Sequence, residues 1–120
     1  MTLHQVAQHA DDLDRATAFY RDVVGLPHLQ TFEPPGLSFL DLGGGTRLLL
    51  EAGAPSAVLY LRVDDLDAAW ARLVAAGVEV VGEPHVIHVH DGTLGPAGAE
   101  ERMAFFRDSE GNTVALASVS

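Results

Sequence analysis

The chain has no cysteine, which excludes disulfides, thiolate metal sites and a cysteine nucleophile. It also has no lysine: all 7 cationic side chains are arginine, set against 17 Asp and Glu, for a formal net charge of −10. An acidic chain without a basic stripe is a poor partner for nucleic acid, because phosphate neutralisation supplies most of that affinity. No apolar run approaches the ~18 residues of a membrane span, and no basic N-terminus leads into an apolar stretch. Neither a membrane segment nor a secretory signal is expected, and the absence of cysteine fits a cytoplasmic protein. With aromatics at only 7%, Phe39, Trp70, Phe105 and Phe106 are expected mainly in the core.

What is present is a repeat. The tetrapeptide Asp-Asp-Leu-Asp occurs at Asp11–Asp14 and again at Asp64–Asp67. Each copy follows a short alternating apolar run and opens a stretch of helical periodicity that stops at a glycine. An offset of about half the chain is too long for a solenoid unit and fits two copies of one module packed in a single domain. The 48% apolar and 20% charged content is that of a folded globular chain.

The elements follow the same order in both halves. Residues 3–10 alternate as a strand. Asp11 or Asp12 caps a helix whose stripe is Leu13, Ala16, Phe19, Tyr20, Val23 and Val24, with Gly25 as its left-handed stop and Pro27 beyond. Strands are expected at 26–32, 37–42 and 46–51, with Pro34-Pro35-Gly36 and Gly43-Gly44-Gly45 as turns. In the second half, 57–63 is a strand. Asp64 or Asp65 caps a helix with the stripe Leu66, Ala69, Trp70, Leu73 and Val74, and Gly77 stops it. A strand begins at 78–81 and resumes through 85–90, a Gly- and Pro-rich loop covers 91–99, and strands follow at 102–107 and 113–118. The reading is an α+β fold of two βαβββ modules, 1–52 and 57–120, joined by a linker at 53–56, with mostly antiparallel curved sheets and helices outside. Two such modules can enclose a hollow for a ligand, and pairing of modules between chains makes a homodimer a natural expectation.

Strand alternation then sorts the candidates. Gln5, Ala7 and His9 share a face, as do Leu49 and Glu51, and Val58, Tyr60 and Arg62. Arg62 can clamp a carboxylate or phosphate, or pair with a neighbouring acid. Glu51 is the candidate general base. His88 and His90 are expected to point one way and His85 the other, as a metal or acid–base site or as exposed neutral histidines. One of Phe105 and Phe106 lines the hollow, and Phe105 is the candidate. The glycine run lacks a following lysine or helix and is a hairpin turn, not a phosphate cradle.

The segments Ala10-Asp11-Asp12-Leu13-Asp14-Arg15-Ala16 and Phe19-Tyr20-Arg21-Asp22-Val23-Val24-Gly25-Leu26 in the first half resemble the vicinal oxygen chelate superfamily. So do Val63-Asp64-Asp65-Leu66-Asp67 and Phe106-Arg107-Asp108-Ser109-Glu110-Gly111-Asn112 in the second. That superfamily groups glyoxalase I, bleomycin-resistance proteins and extradiol dioxygenases, and the likeness covers essentially the whole chain. It implies one divalent metal held by His and Glu from the first and last strands of each half. The matching positions here are Gln5, Leu49, Val58 and Ala115. Three of these offer no lone pair, so the usual metal site looks dismantled. The likeness also points Gln5 inward and His4 outward.

Two functions follow. The first is a small-molecule binding protein with no metal or other cofactor, its ligand held by Gln5, Tyr60, Arg62, His85 and Phe105. It would resemble the drug-sequestering resistance proteins. The second is a lyase, epimerase or dioxygenase with a rearranged site of Gln5, Glu51 and His85 around Zn, Ni, Mn or Fe.

Overall fold

Asp12 and Asp65 start the two helices in the same way. Asp12 is extended at φ −116°, ψ 103°, and its carboxylate accepts from the Arg15 N–H at 3.0 Å. Asp65 is extended at φ −121°, ψ 95°, and accepts from the Ala68 N–H at 3.0 Å. In both copies the second aspartate of the repeat is the cap, because only that position places an oxygen over the free N–H groups of the first turn.

The computed structural model describes residues 3–120. The elements run β1 (Gln5–His9), α1 (Leu13–Ala18), β2 (His28–Phe32), β3 (Leu37–Gly43), β4 (Thr46–Glu51), β5 (Leu59–Arg62), α2 (Leu66–Ala75), β6 (Glu79–Val89), β7 (Glu100–Arg107) and β8 (Thr113–Val119). They form two open four-stranded sheets, β1-β4-β3-β2 and β5-β8-β7-β6. Shifting the first order by four strands gives the second. In each sheet the first and last strands of a module pair in parallel and the other pairs are antiparallel. The expected α+β architecture of two βαβββ modules is the one observed.

The chain divides into two compact units. One is Met1–Ala57 with Asp108–Asn112, and the other is Val58–Arg107 with Thr113–Ser120. The turn between β7 and β8 thus belongs with the first module, although the sequence reading kept it in the second.

In the first unit α1 packs on β3 and β4. Strand alternation and register set Gln8, Ser38, Leu40, Leu48 and Leu50 toward the helix, and all five are fully buried. The opposite face carries Gln5, Ala7 and His9 beside Arg47, Leu49 and Glu51, with Phe39 and Asp41 on β3. In the second unit α2 packs on β6, β7 and β8. Leu59, Ala104, Phe106, Val114 and Leu116 are buried on that side. Tyr60, Phe105 and Ala115 share the other face.

Three local expectations change. The first helix does not stay α-helical to Gly25: after Ala18 it widens to π geometry over Phe19–Val24. Gly25, at φ 94°, ends it, and the Gly25 and Leu26 N–H groups both donate to the Tyr20 carbonyl, at 3.0 and 2.9 Å. The wider turn breaks the 3.6-residue stripe, leaving Tyr20 buried while Val23 and Val24 are only half-buried. The strand expected to stop near Gly82 runs on through Pro84 to Val89. It is the edge strand of its sheet, where proline costs no ladder bond, and register shifts absorb the irregularity. One of those shifts lies between Val86 and His88, so His85 stands opposite Met103 and His88 opposite Glu101. Met103 and Glu101 are alternate residues of β7, so the inserted residue sets His85 and His88 on a common face, against the simple alternation rule.

Candidate functional site

On the helix-free face of the first sheet, Gln5 and Arg47 are register partners. Arg47 Nη2 donates to Gln5 Oε1 at 2.8 Å and to His4 Nε2 at 3.0 Å. Its guanidinium lies over the Phe39 ring, 5.2 Å from the centroid. Phe39 in turn meets Phe32 edge to face, with centroids 5.9 Å apart. Arg47 Nε is sealed from solvent and has no hydrogen-bond partner among the described residues. His4 precedes β1, so strand alternation does not govern it, and its ring joins Gln5 at Arg47 instead of pointing away. Sequence reasoning missed Arg47, although the signal was there: it is two residues from Leu49 on the same strand and shares its face.

Glu51 stands opposite His9, at the far end of the same pair of strands. Four residues at a rise of ~3.3 Å each separate it from the Gln5 level by ~13 Å, too far for one ion to touch both. The Gln5, Glu51 and His85 donor set is corrected on that ground. Among the described residues, no group of three or more His, Asp or Glu side chains is arranged to hold a metal ion.

In the second unit, Tyr60 and Phe105 meet edge to face at 6.2 Å. Of the two phenylalanines Phe106 is the buried one, and Phe105 takes the other face. Val58 and Arg62 are exposed, whereas Ala115 is fully buried. His85 is exposed, with Nδ1 2.8 Å from the Glu83 carbonyl. His90 is buried, its Nε2 3.1 Å from Glu101 and its ring 4.8 Å from that of His88. The three histidines therefore form no common site: His85 is tied to its own strand, and His90 is packed beneath the 91–99 loop, where the Gly98 N–H donates to its carbonyl at 2.8 Å.

The motif residues that carry the family likeness do a different job. Tyr20, buried, donates from its hydroxyl to Asp108 Oδ2 at 2.6 Å. Burial and the Asp108 carboxylate push its phenol pKa well up. Asp108 Oδ1 also accepts from the Glu110 and Asn112 N–H groups. Arg15 forks onto Glu110 at 2.7 and 3.0 Å, and the Asp12 N–H adds a third bond at 2.9 Å. Burial alone would raise the Glu110 carboxyl, but these donors outweigh it and bring its pKa down to about 2. The lock holds the 108–112 turn in the first unit. A separate open groove of about 560 Å³ lies along Ala10, Asp11, Leu13, Glu33, Pro34, Pro35, Gly36 and Ala52 and includes none of the candidate residues.

Three solved structures show what the chain resembles. TnmS3, an antibiotic binding protein from Streptomyces sp. CB03234, is 26% identical with a TM-score of 0.80, over 100% of this chain and 97% of that one. A glyoxalase/bleomycin resistance protein from the same organism is 27% identical with a TM-score of 0.72, over 96% and 98%. A lactoylglutathione lyase from Agrobacterium tumefaciens is 30% identical with a TM-score of 0.69, over 98% and 92%. No curated protein matches. Residues 2–116 match the family model, and the chain belongs to the Glyoxalase/Bleomycin resistance protein/Dioxygenase superfamily.

Proposed function

We propose that this protein binds a small organic molecule at the sheet face turned away from the helix, without the divalent metal of catalytic relatives. One observation carries the reading. Gln5 supplies the sole oxygen donor at the four family metal positions, and that oxygen already accepts from the Arg47 guanidinium at 2.8 Å. A divalent ion on Gln5 would stand ~5 Å from that fixed charge, a repulsion of ~7 kcal/mol at an effective dielectric constant of ~20. Leu49, Val58 and Ala115 add nothing to offset it. The likeness to an antibiotic binding protein supports the same reading. A homodimer in the cytoplasm completes it, with the oligomeric state checked by light scattering.

The likeness to a lactoylglutathione lyase favours a second reading, an enzyme with a metal site of its own. Metal analysis of protein purified without chelator separates the two. Substoichiometric metal, with no thermal shift in zinc, nickel or manganese, is the expected result. One tightly held divalent ion per chain would overturn the first reading in favour of the second.

A further inference from the structure

Building on the metal-free site proposed above, we infer that Arg47 makes that site selective for apolar organic acids, with the ligand carboxylate taken by Arg47 and Gln5 together.

The guanidinium is uncompensated in a chain of net charge −10. Arg15, Arg21, Arg102 and Arg107 each form an ion pair with a carboxylate. Arg47 does not. Its side-chain hydrogen bonds go to His4 and Gln5, neither of them a carboxylate. The acid directly across the strand pair, Asp41, is turned to the hairpin, where its Oδ1 accepts from the Gly43 N–H at 2.7 Å. Gly43, Gly44 and Gly45 all have positive φ, of 89°, 63° and 84°, which lets the turn close tightly enough to hold that carboxylate.

Two donors are left for one anion. Nη2 spends both of its hydrogens on His4 and Gln5, and Nε is sealed, which leaves Nη1 available. A guanidinium only donates, so it fixes the Gln5 amide with its oxygen toward Arg47 and its NH₂ free to donate elsewhere. Arg47 Nη1 and Gln5 Nε2 therefore both remain as donors on register partners of one sheet face. A carboxylate matches them in charge, one negative against one positive. A dianionic phosphate would leave a negative charge unmatched in an already acidic protein. Phe39 and the exposed Phe32 adjoin these donors along the sheet and supply the surface for an apolar body.

The test uses the full chain and three probes: 2-naphthoate, its neutral isostere 2-naphthamide, and inorganic phosphate. Titration calorimetry is expected to show naphthoate binding at least about tenfold more tightly than naphthamide, with phosphate alone weaker still, because the neutral amide leaves the arginine unmatched. In Arg47→Met, which keeps an apolar stem over Phe39, the preference should collapse to about onefold. Should that variant not fold, the wild-type arginine Nε–H spectrum gives a second measurement. Naphthoate should shift one resonance, the one absent in Arg47→Lys, and naphthamide should not. Equal affinity for the two naphthalenes in wild type, an undiminished preference in Arg47→Met, or tighter phosphate binding overturns the inference and leaves the metal-free reading standing. So does failure of both naphthalenes to bind. The metal-free reading falls only to the metal analysis above.

Discussion

The hydroxyl of Tyr20 shows what single residues contribute and what a sequence reveals of them. Its place in an apolar stripe predicted burial, and it is fully buried. Its partner Asp108 lies 88 residues away and could not be read from local pattern. Tyr20→Phe keeps the ring and removes the donor, leaving Asp108 Oδ2 with Asn112 Nδ2 alone at 2.8 Å. The expected loss is about 1–3 kcal/mol in urea unfolding, the cost of leaving part of a buried carboxylate's bonding unmet. A change near zero would mean that water replaces the phenol and that the lock is looser than its distances imply. Arg47 was illegible for the same reason as this bond. One arginine in a strand looks like any other until the register brings Gln5 to it and the hairpin draws Asp41 away.

Among the elements, those whose signals are local were legible. The caps are the clearest case: either aspartate of each repeat was a possible cap, and Asp12 and Asp65 are the ones. The strands from Leu37 to Glu51 and the turn between them also fall where alternation and glycine put them. The π segment was not legible, because the apolar residues from Leu13 to Val24 keep helical spacing and nothing in that period marks the wider turn. Nor was the continuity of β6, since Gly82 and Pro84 signal a break that an edge position tolerates. Cap chemistry predicts that Asp65→Ala destabilises the protein by ~1 kcal/mol, since the Ala68 N–H loses its acceptor. Asp65→Asn should recover most of that loss. Thermal unfolding of the three proteins at neutral pH checks the order, and equal midpoints would show that packing of Leu66, Trp70 and Leu73 alone holds α2.

For the whole molecule, the repeat foretold the topology, and the 108–112 turn is one place where the two copies differ. It belongs with the first unit through Glu110, whose carboxylate is fully buried and accepts from Arg15, Asp12 and Ser109. The folded-state pKa of about 2 lies below the ordinary value of 4.5, so the charged form is favoured by folding. That stability is fully present above the unfolded value and is lost as pH falls through the folded one. Arg15 is half exposed, so solvent screening reduces the contribution to about 2 kcal/mol. With 17 acids in the chain, protonation also relieves self-repulsion, and wild-type acid unfolding alone mixes the two effects. Glu110→Gln separates them, because it removes the titration and leaves the other 16 acids (17 − 1) unchanged. Urea unfolding at steps from neutral pH to pH ~2 should give stability curves that lie furthest apart above pH ~5 and converge by about 2 kcal/mol toward the acid end. Parallel curves would mean that Glu110 is no better held in the folded chain than in the unfolded one, and the turn would then need another reason to sit with the first unit.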